Sequence, residues 1–205
     1  MKLTSLILAG GKNQRLGRDK ANEIIGGQTL IECVIERVKP LSQQILIVTS
    51  QQKPDFTVTD DVQVVTDLYP DMGPLGGIYT GLMSSQQASS IVVACDMPFL
   101  NTELLSYMVE CSNGYDAVVP RLGERKLEPL HAVYSRNCLD RMKTWLERNQ
   151  LGVHSFIGTL NTRYIERAEC QQLDPQLLSF FNINNQADLE RAIALSTMQS
   201  SKHSG

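Results

Sequence analysis

Short apolar runs without the alternation of a half-solvated strand recur along this chain, and stretches of helical period separate them. Leu6-Ile7-Leu8, Ile45 to Val48, Val62 to Val65 and Ile91 to Ala94 read as buried strands. Between the first two, Thr29 caps a helix from Leu30 to about Lys39, with Ile31, Val34, Ile35 and Val38 on one face and Pro40 as its stop. Gly76 to Met83 opens another helix, and Asn101 or Thr102 caps one that runs to about Cys111. Further on, Ala117 to Val119, Leu130 to Tyr134 and Thr162 to Ile165 read as short strands. Arg121 to Glu128 reads as a hairpin or flap, Arg136 to Asn149 is amphipathic, and Asn185 to Leu195 reads as a final helix. The pattern predicts an α/β protein: a single three-layer α/β/α domain around a mostly parallel, Rossmann-like sheet. Residues 1–195 make up the expected domain, and 196–205 an expected flexible tail.

The net charge of −3 over 205 residues makes a poor general binder of nucleic acid, but it leaves room for one nucleotide held by local cations. The five cysteines are irregularly spaced and form no CxxC pair, so neither a disulfide framework nor a zinc ribbon is expected, and a reducing cytoplasm is the simplest home. The apolar run Leu3 to Ala9 is too short for a membrane span and lacks a signal-peptide cleavage site.

In sheets of this kind ligands bind beyond the carboxyl ends of the strands, which selects the loops after Ala9, Val65 and Ala94. The first runs from Leu8 and Ala9 through Gly10 and Gly11 to Lys20, with Lys12, Arg15, Arg18 and Lys20 among its cations. Adjacent glycines let backbone N–H groups approach phosphate oxygens, and the cations suit a triphosphate. Neither GxxxxGK[ST] nor GxGxxG is present. In the second loop Asp67 follows a strand and Gly73 to Ile78 opens a helix. In the third, Asp96 stands at a strand end, where a hard carboxylate suits Mg²⁺. On their own these loops also read as a charged surface loop and two ordinary turns.

LAGG followed by Arg15, Gly17 and Lys20 resembles the signature loop of nucleotidyltransferases with a GT-A-like α/β fold, among them the molybdenum cofactor guanylyl- and cytidylyltransferases. GPLGGI at 73–78, CDMPFL at 95–100, EPLHAVY at 128–134 and FNINNQADL at 181–189 resemble segments of the molybdenum cofactor guanylyltransferases, in the family's order. The resemblance implies Mg²⁺-dependent transfer of GMP from GTP to the terminal phosphate of molybdopterin, with molybdoenzymes or their chaperones as further partners. It implies that Leu8, Ala9, Gly10, Gly11, Lys20, Asp67, Gly76, Asp96, Asn182 and Asn184 line the substrates. It further implies that Asp96 ligates the metal and that Arg15, Lys20 and Asp96 carry the catalysis.

Two departures stand out. Asn185-Gln186 replaces the usual Thr-Pro, and no asparagine stands near Thr49-Ser50-Gln51, where many members contact the base. The alternatives are transfer from CTP to molybdopterin, transfer from a triphosphate to a sugar or polyol phosphate, and a non-catalytic nucleotide-binding chaperone. Of the histidines, His131 faces either the acceptor or a local partner, His154 reads as structural, and His203 belongs to the tail.

Overall fold

The computed structural model describes residues 3–9, 20–50, 56 and 58–202. In chain order its elements begin with β1 (Leu3–Leu8), the hairpin β2 (Ile24–Ile25) and β3 (Gln28–Thr29), α1 (Leu30–Val38), β4 (Ser42–Thr49) and β5 (Val62–Thr66). They continue with α2 (Gly73–Ser84), β6 (Ser89–Ala94), α3 (Thr102–Glu110), β7 (Ala117–Gly123), β8 (Lys126–Leu127) and β9 (His131–Ser135). The last are α4 (Leu139–Glu147), α5 (Val153–Ile157), β10 (Thr162–Glu166), α6 (Arg167–Leu173) and α7 (Gln186–Lys202).

The main sheet runs β10-β7-β9-β6-β1-β4-β5, with β8 paired to β7. β1 lies parallel between β4 and β6, and β5 continues the parallel run. β9 is antiparallel to both β6 and β7, while β10 is parallel to β7. All strands on the main path except β9 therefore end at one edge. Side chains alternate between two cores. Leu3 and Ile7 of β1 join Val34, Leu104, Met108 and Cys170, under α1, α3 and α6. Leu6 and Leu8 join Ile78, Leu82, Met142 and Phe156, under α2, α4 and α5. This is the three-layer arrangement that the run pattern predicts.

Close approach of α2 to β1 depends on glycine. A Cβ on Gly77 would stand 3.4 Å from Leu8 Cδ2, and one on Gly81 only 2.7 Å from Leu6 Cδ1. The two positions are four apart and so share one helix face.

The structure departs from the sequence reading in four places. β5 is an edge strand in which Gln63, Val64 and Thr66 are exposed, so it is not doubly buried. The short hairpin β2–β3 turns through Gly26 and Gly27 at φ 60° and 90°, a left-handed pair that suits a two-residue turn. Helices α5 and α6 carry too few turns to show a period. Finally, α7 continues through Lys202, so the helix does not end at Leu195. Among the described residues no helix is long and apolar enough to cross a membrane.

Leu6 is fully buried, so its side chain has no room to retreat from a larger neighbour. Gly81→Ala should therefore cost about 1–3 kcal/mol of stability through overpacking. Urea unfolding checks this, and an unchanged midpoint would mean that α2 does not lie this close to β1.

Candidate active site

Backbone hydrogen bonds carry the sheet one residue past its strand ends. Ala9 N–H donates to Val48 O at 2.8 Å, Asp67 N–H to Thr49 O at 2.8 Å, and Cys95 N–H to Leu8 O at 3.1 Å. Leu8, Ala9, Thr49, Asp67 and Asp96 thus meet at one sheet edge, as the strand-end rule requires. Gly10, Gly11 and Arg15 lie outside the described residues. Lys20 opens a short helical turn through Asn22, and its side chain likewise lies outside the description.

Asp67 is half-buried and held in place. Its Oδ1 accepts the Thr80 hydroxyl at 2.7 Å and the Tyr69 N–H at 3.0 Å, while Thr80 Oγ1 accepts the Leu68 N–H at 3.0 Å. Oδ2 faces Gly77, where an added Cβ would stand 4.0 Å away. The reason for glycine at position 76 is local: a Cβ there would stand 2.8 Å from the Tyr69 carbonyl oxygen. Gly76 thus packs on the turn that carries Asp67. Thr80, which fixes that carboxylate, escapes sequence reading because a threonine inside an apolar helix gives no signal of its own.

Asp96 follows β6 in a turn whose next residues, Met97, Phe99 and Leu100, are buried. Its carbonyl accepts the Ile183 N–H at 3.0 Å, which places the carboxyl-terminal segment beside it. Phe99 and Phe181 pack with ring centroids 5.9 Å apart, and Ile183 joins Ile25, Leu30 and Leu189 in a small third core. Asn182 and Asn184 are thereby brought to the Asp96 turn. Asn182 Nδ2 donates to Phe180 O at 3.3 Å. Asn185 supplies the cap of α7: its Oδ1 accepts the Asp188 N–H at 3.0 Å, while Asp188 Oδ2 accepts the Asn184 and Asn185 N–H groups. The Asn185-Gln186 departure thus falls on the cap of α7.

His131 turns away from the cleft. It is fully buried, its Nε2 lies 2.8 Å from Ser179 Oγ, and its ring packs on Phe180 at 4.7 Å. Ser179 Oγ also accepts the Asn101 N–H at 2.8 Å, and the Ser179 N–H donates to Asp174 Oδ2 at 2.7 Å. Of the two readings of this histidine, the local partner holds. The network, which sequence spacing does not show, fastens segment 174–180 and through it the Asn182 region. Among the described residues, His131 Nδ1 is the buried side-chain polar atom without a hydrogen bond, and burial pushes the imidazole pKa down to about 4.

The sheet order, with its strand ends gathered at one edge, is that of the Rossmann-like fold found in nucleotidyltransferases. The MobA-like NTP transferase domain family matches residues 5–164, and the chain belongs to this family. The molybdenum cofactor guanylyltransferase of Desulfosudis oleivorans is 35% identical over 194 residues, which span 94% of this chain and 95% of that protein. The enzyme of the same name from Syntrophotalea carbinolica is 30% identical, over 92% of this chain and 89% of its own length. The solved structure of molybdopterin-guanine dinucleotide biosynthesis protein A from Archaeoglobus fulgidus superimposes with a TM-score of 0.81 at 27% identity, covering 95% of this chain and 99% of that one. A cytidylyltransferase structure from Thermus thermophilus, at 16% identity and a TM-score of 0.67, shares the fold.

The buried histidine sets a pH dependence. The unfolded chain protonates His131 near 6.5, whereas the folded chain keeps it neutral down to about 4. Between those values the unfolded state holds more protons, so stability falls as pH falls. The loss attributable to His131 approaches roughly 3 kcal/mol at the acid end. His131→Gln should flatten the decline between pH 6.5 and 4 in urea titrations, and an equally steep decline would place its origin elsewhere.

Proposed function

We propose that this chain transfers GMP from GTP to the terminal phosphate of molybdopterin, releasing pyrophosphate and forming the guanine dinucleotide cofactor. The observation that carries the reading is the convergence at one sheet edge. Asp96 and Asp67 stand at strand ends there, and the segment bearing Asn182 and Asn184 is bonded to the Asp96 backbone. Family membership and the similarity to named guanylyltransferases support the choice of reaction.

Both reactants are anions, so positioning and charge neutralisation supply most of the rate. In this reading the Gly10 and Gly11 amides with Arg15 and Lys20 hold the β- and γ-phosphates and steady the departing pyrophosphate. Leu8 and Ala9 end the strand on which that loop rests. Asp67 and the Gly76 turn face the ribose and base. Asn182 and Asn184 face the acceptor.

The donor set fits Mg²⁺. Among the described residues no group of three or more His, Cys, Asp or Glu forms a protein cage. Mg²⁺ takes one or two carboxylates and completes its shell with phosphate oxygens and water, and in this reading Asp96, just past the end of β6, would hold it. When bound, Mg²⁺ withdraws charge from the α-phosphate. The attacking phosphate is already ionised near neutral pH, so no general base is needed, in keeping with the burial of His131. A cytoplasmic location belongs to the same reading, supported by five free thiols, two of them buried. So does hand-over of the product to molybdoenzymes or their chaperones.

Calorimetric titration with GTP, CTP, UTP and ATP in Mg²⁺ buffer, with mass spectrometry of the product formed from molybdopterin, tests the proposal. GTP should bind more tightly than each rival by about tenfold to a hundredfold, because a mismatched base leaves polar groups unpaired. Equal affinity for CTP would sink the guanylyl assignment. Asp96→Asn should abolish Mg²⁺-dependent turnover in a folded protein, and Lys20→Ala should lower kcat by about 10²–10³. Near-normal rates in either variant would remove that residue from the chemistry.

A further inference from the structure

Thr80 stands in the buried stretch Leu75 to Leu82 of α2 and is itself fully buried. Threonine is a poorer helix former than alanine or leucine, and a buried hydroxyl is costly unless it is bonded. The hydroxyl finds its partners outside its own helix, in the turn after β5. It donates to Asp67 Oδ1 at 2.7 Å and accepts the Leu68 N–H at 3.0 Å. The Tyr69 N–H donates to the same Oδ1 at 3.0 Å. Oδ1 is thereby filled, whereas Oδ2 accepts no hydrogen bond among the described residues. Gly77, three residues before Thr80 and so on the same helix face, puts no side chain in front of Oδ2. A Cβ there would stand 4.0 Å from Oδ2 and 3.4 Å from Leu8 Cδ2. Gly81, next to Thr80, packs so closely on Leu6 that α2 cannot roll to carry the hydroxyl away.

We propose that Thr80 is a positioning residue that makes the site select ribonucleotides, by fixing Asp67 so that Oδ2 alone accepts one hydroxyl of the ribose. The inference rests on the nucleotide site proposed above and deepens it. A carboxylate repels a triphosphate, so Asp67 faces an uncharged part of the nucleotide, the sugar or the base. The filled Oδ1 decides between them. Guanine offers adjacent N–H donors, which a carboxylate matches best with both of its oxygens. With Oδ1 already taken by Thr80 and Tyr69, that two-pronged match is closed, and one open oxygen suits one hydroxyl. Turning the carboxylate to free Oδ1 would strip the Tyr69 N–H and the Thr80 hydroxyl of their acceptor, a cost that holds the group in place before any nucleotide arrives.

Calorimetric titration of the full-length chain with GTP, 2′-deoxy-GTP and 3′-deoxy-GTP in Mg²⁺ buffer tests this. The wild-type chain should bind GTP about tenfold to a hundredfold more tightly than one of the two deoxy analogues. Thr80→Val removes the hydroxyl at nearly constant volume. It should weaken GTP by about tenfold and leave that analogue nearly unchanged, so that the preference collapses, whereas Thr80→Ser should keep it. Thr80→Ala serves as the second hydroxyl-free variant should valine not fold. Asp67→Asn should lose the same preference, and adding Thr80→Val to it should lower GTP affinity little further, because Thr80 acts through Asp67. Equal wild-type affinity for GTP and both analogues would overturn the assignment. So would a hydroxyl-free variant that melts earlier but keeps the wild-type preference, which is what a purely structural threonine would show. Additive losses in the double variant would overturn it as well. If the chain prefers CTP, the guanylyl reading fails, and the same ratios taken with CTP and its deoxy analogues decide the role of Thr80. If it makes the guanine dinucleotide without ribose preference, the role of Thr80 fails and the transfer reading stands.

Discussion

Parallel pairing of β1 on both edges, with both faces buried, is the constraint from which the rest of the site follows. A strand hydrogen-bonded to β4 and β6 and packed under α1 and α2 cannot slide without exposing Leu6, Ile7 and Leu8 together. Its register therefore fixes where the chain leaves the sheet. The bonds from Ala9 to Val48 and from Cys95 to Leu8 transmit that register to the neighbouring strand ends. The proposed phosphate loop and the proposed metal ligand thus start from adjacent, rigid positions on the sheet. Gly77 and Gly81 complete the constraint, since only side chains without a Cβ let α2 settle onto Leu8 and Leu6.

The second half of the site is fastened differently. Segment 174–183 has little regular structure, so its place depends on individual polar contacts. Ser179 accepts the Asn101 N–H and meets His131, and its own N–H is taken by Asp174. Ile183 then bonds to the Asp96 carbonyl. A buried imidazole is an expensive anchor, because burial disfavours its charged form and one ring nitrogen goes unpaired. The anchor still joins β9, the start of α3 and the carboxyl-terminal segment at one point. That junction gives a loop the precision of a secondary-structure element.

Most of the scaffold is readable from the chain because its signals are local. Doubly buried strands lack alternation, and Thr29 caps α1 as expected, with Glu32 completing a capping box. The strand-end aspartates can likewise be placed once a parallel sheet is inferred. What escapes is the information carried by long-range contact. Val62 to Val65 is as apolar as a central strand, yet only its pairing order shows that β5 is an edge. Thr80 and Ser179 act through partners 13 and 48 residues away. Arg121 and Glu166 meet because β7 and β10 pair in register, Arg121 opposite Glu166, a fact that composition cannot convey.

Charge distribution explains why such fixed contacts are needed. The chain carries a net charge of −3, yet its proposed substrates are a triphosphate and a phosphate ester. A protein of that sign gains nothing from long-range steering of anions. Attraction must then come from a few cations at short range, where screening is weakest. Four lie in the sequence between Lys12 and Lys20, shortly after β1, and Arg121 and Arg125 stand at and just past the end of β7. Short-range binding rewards groups that do not have to be ordered when the ligand arrives. Arg121 meets that condition, with Glu166 holding its position and Tyr164 its plane. The carboxylate Asp67 meets it on the opposite flank, held by Thr80 and the Tyr69 amide.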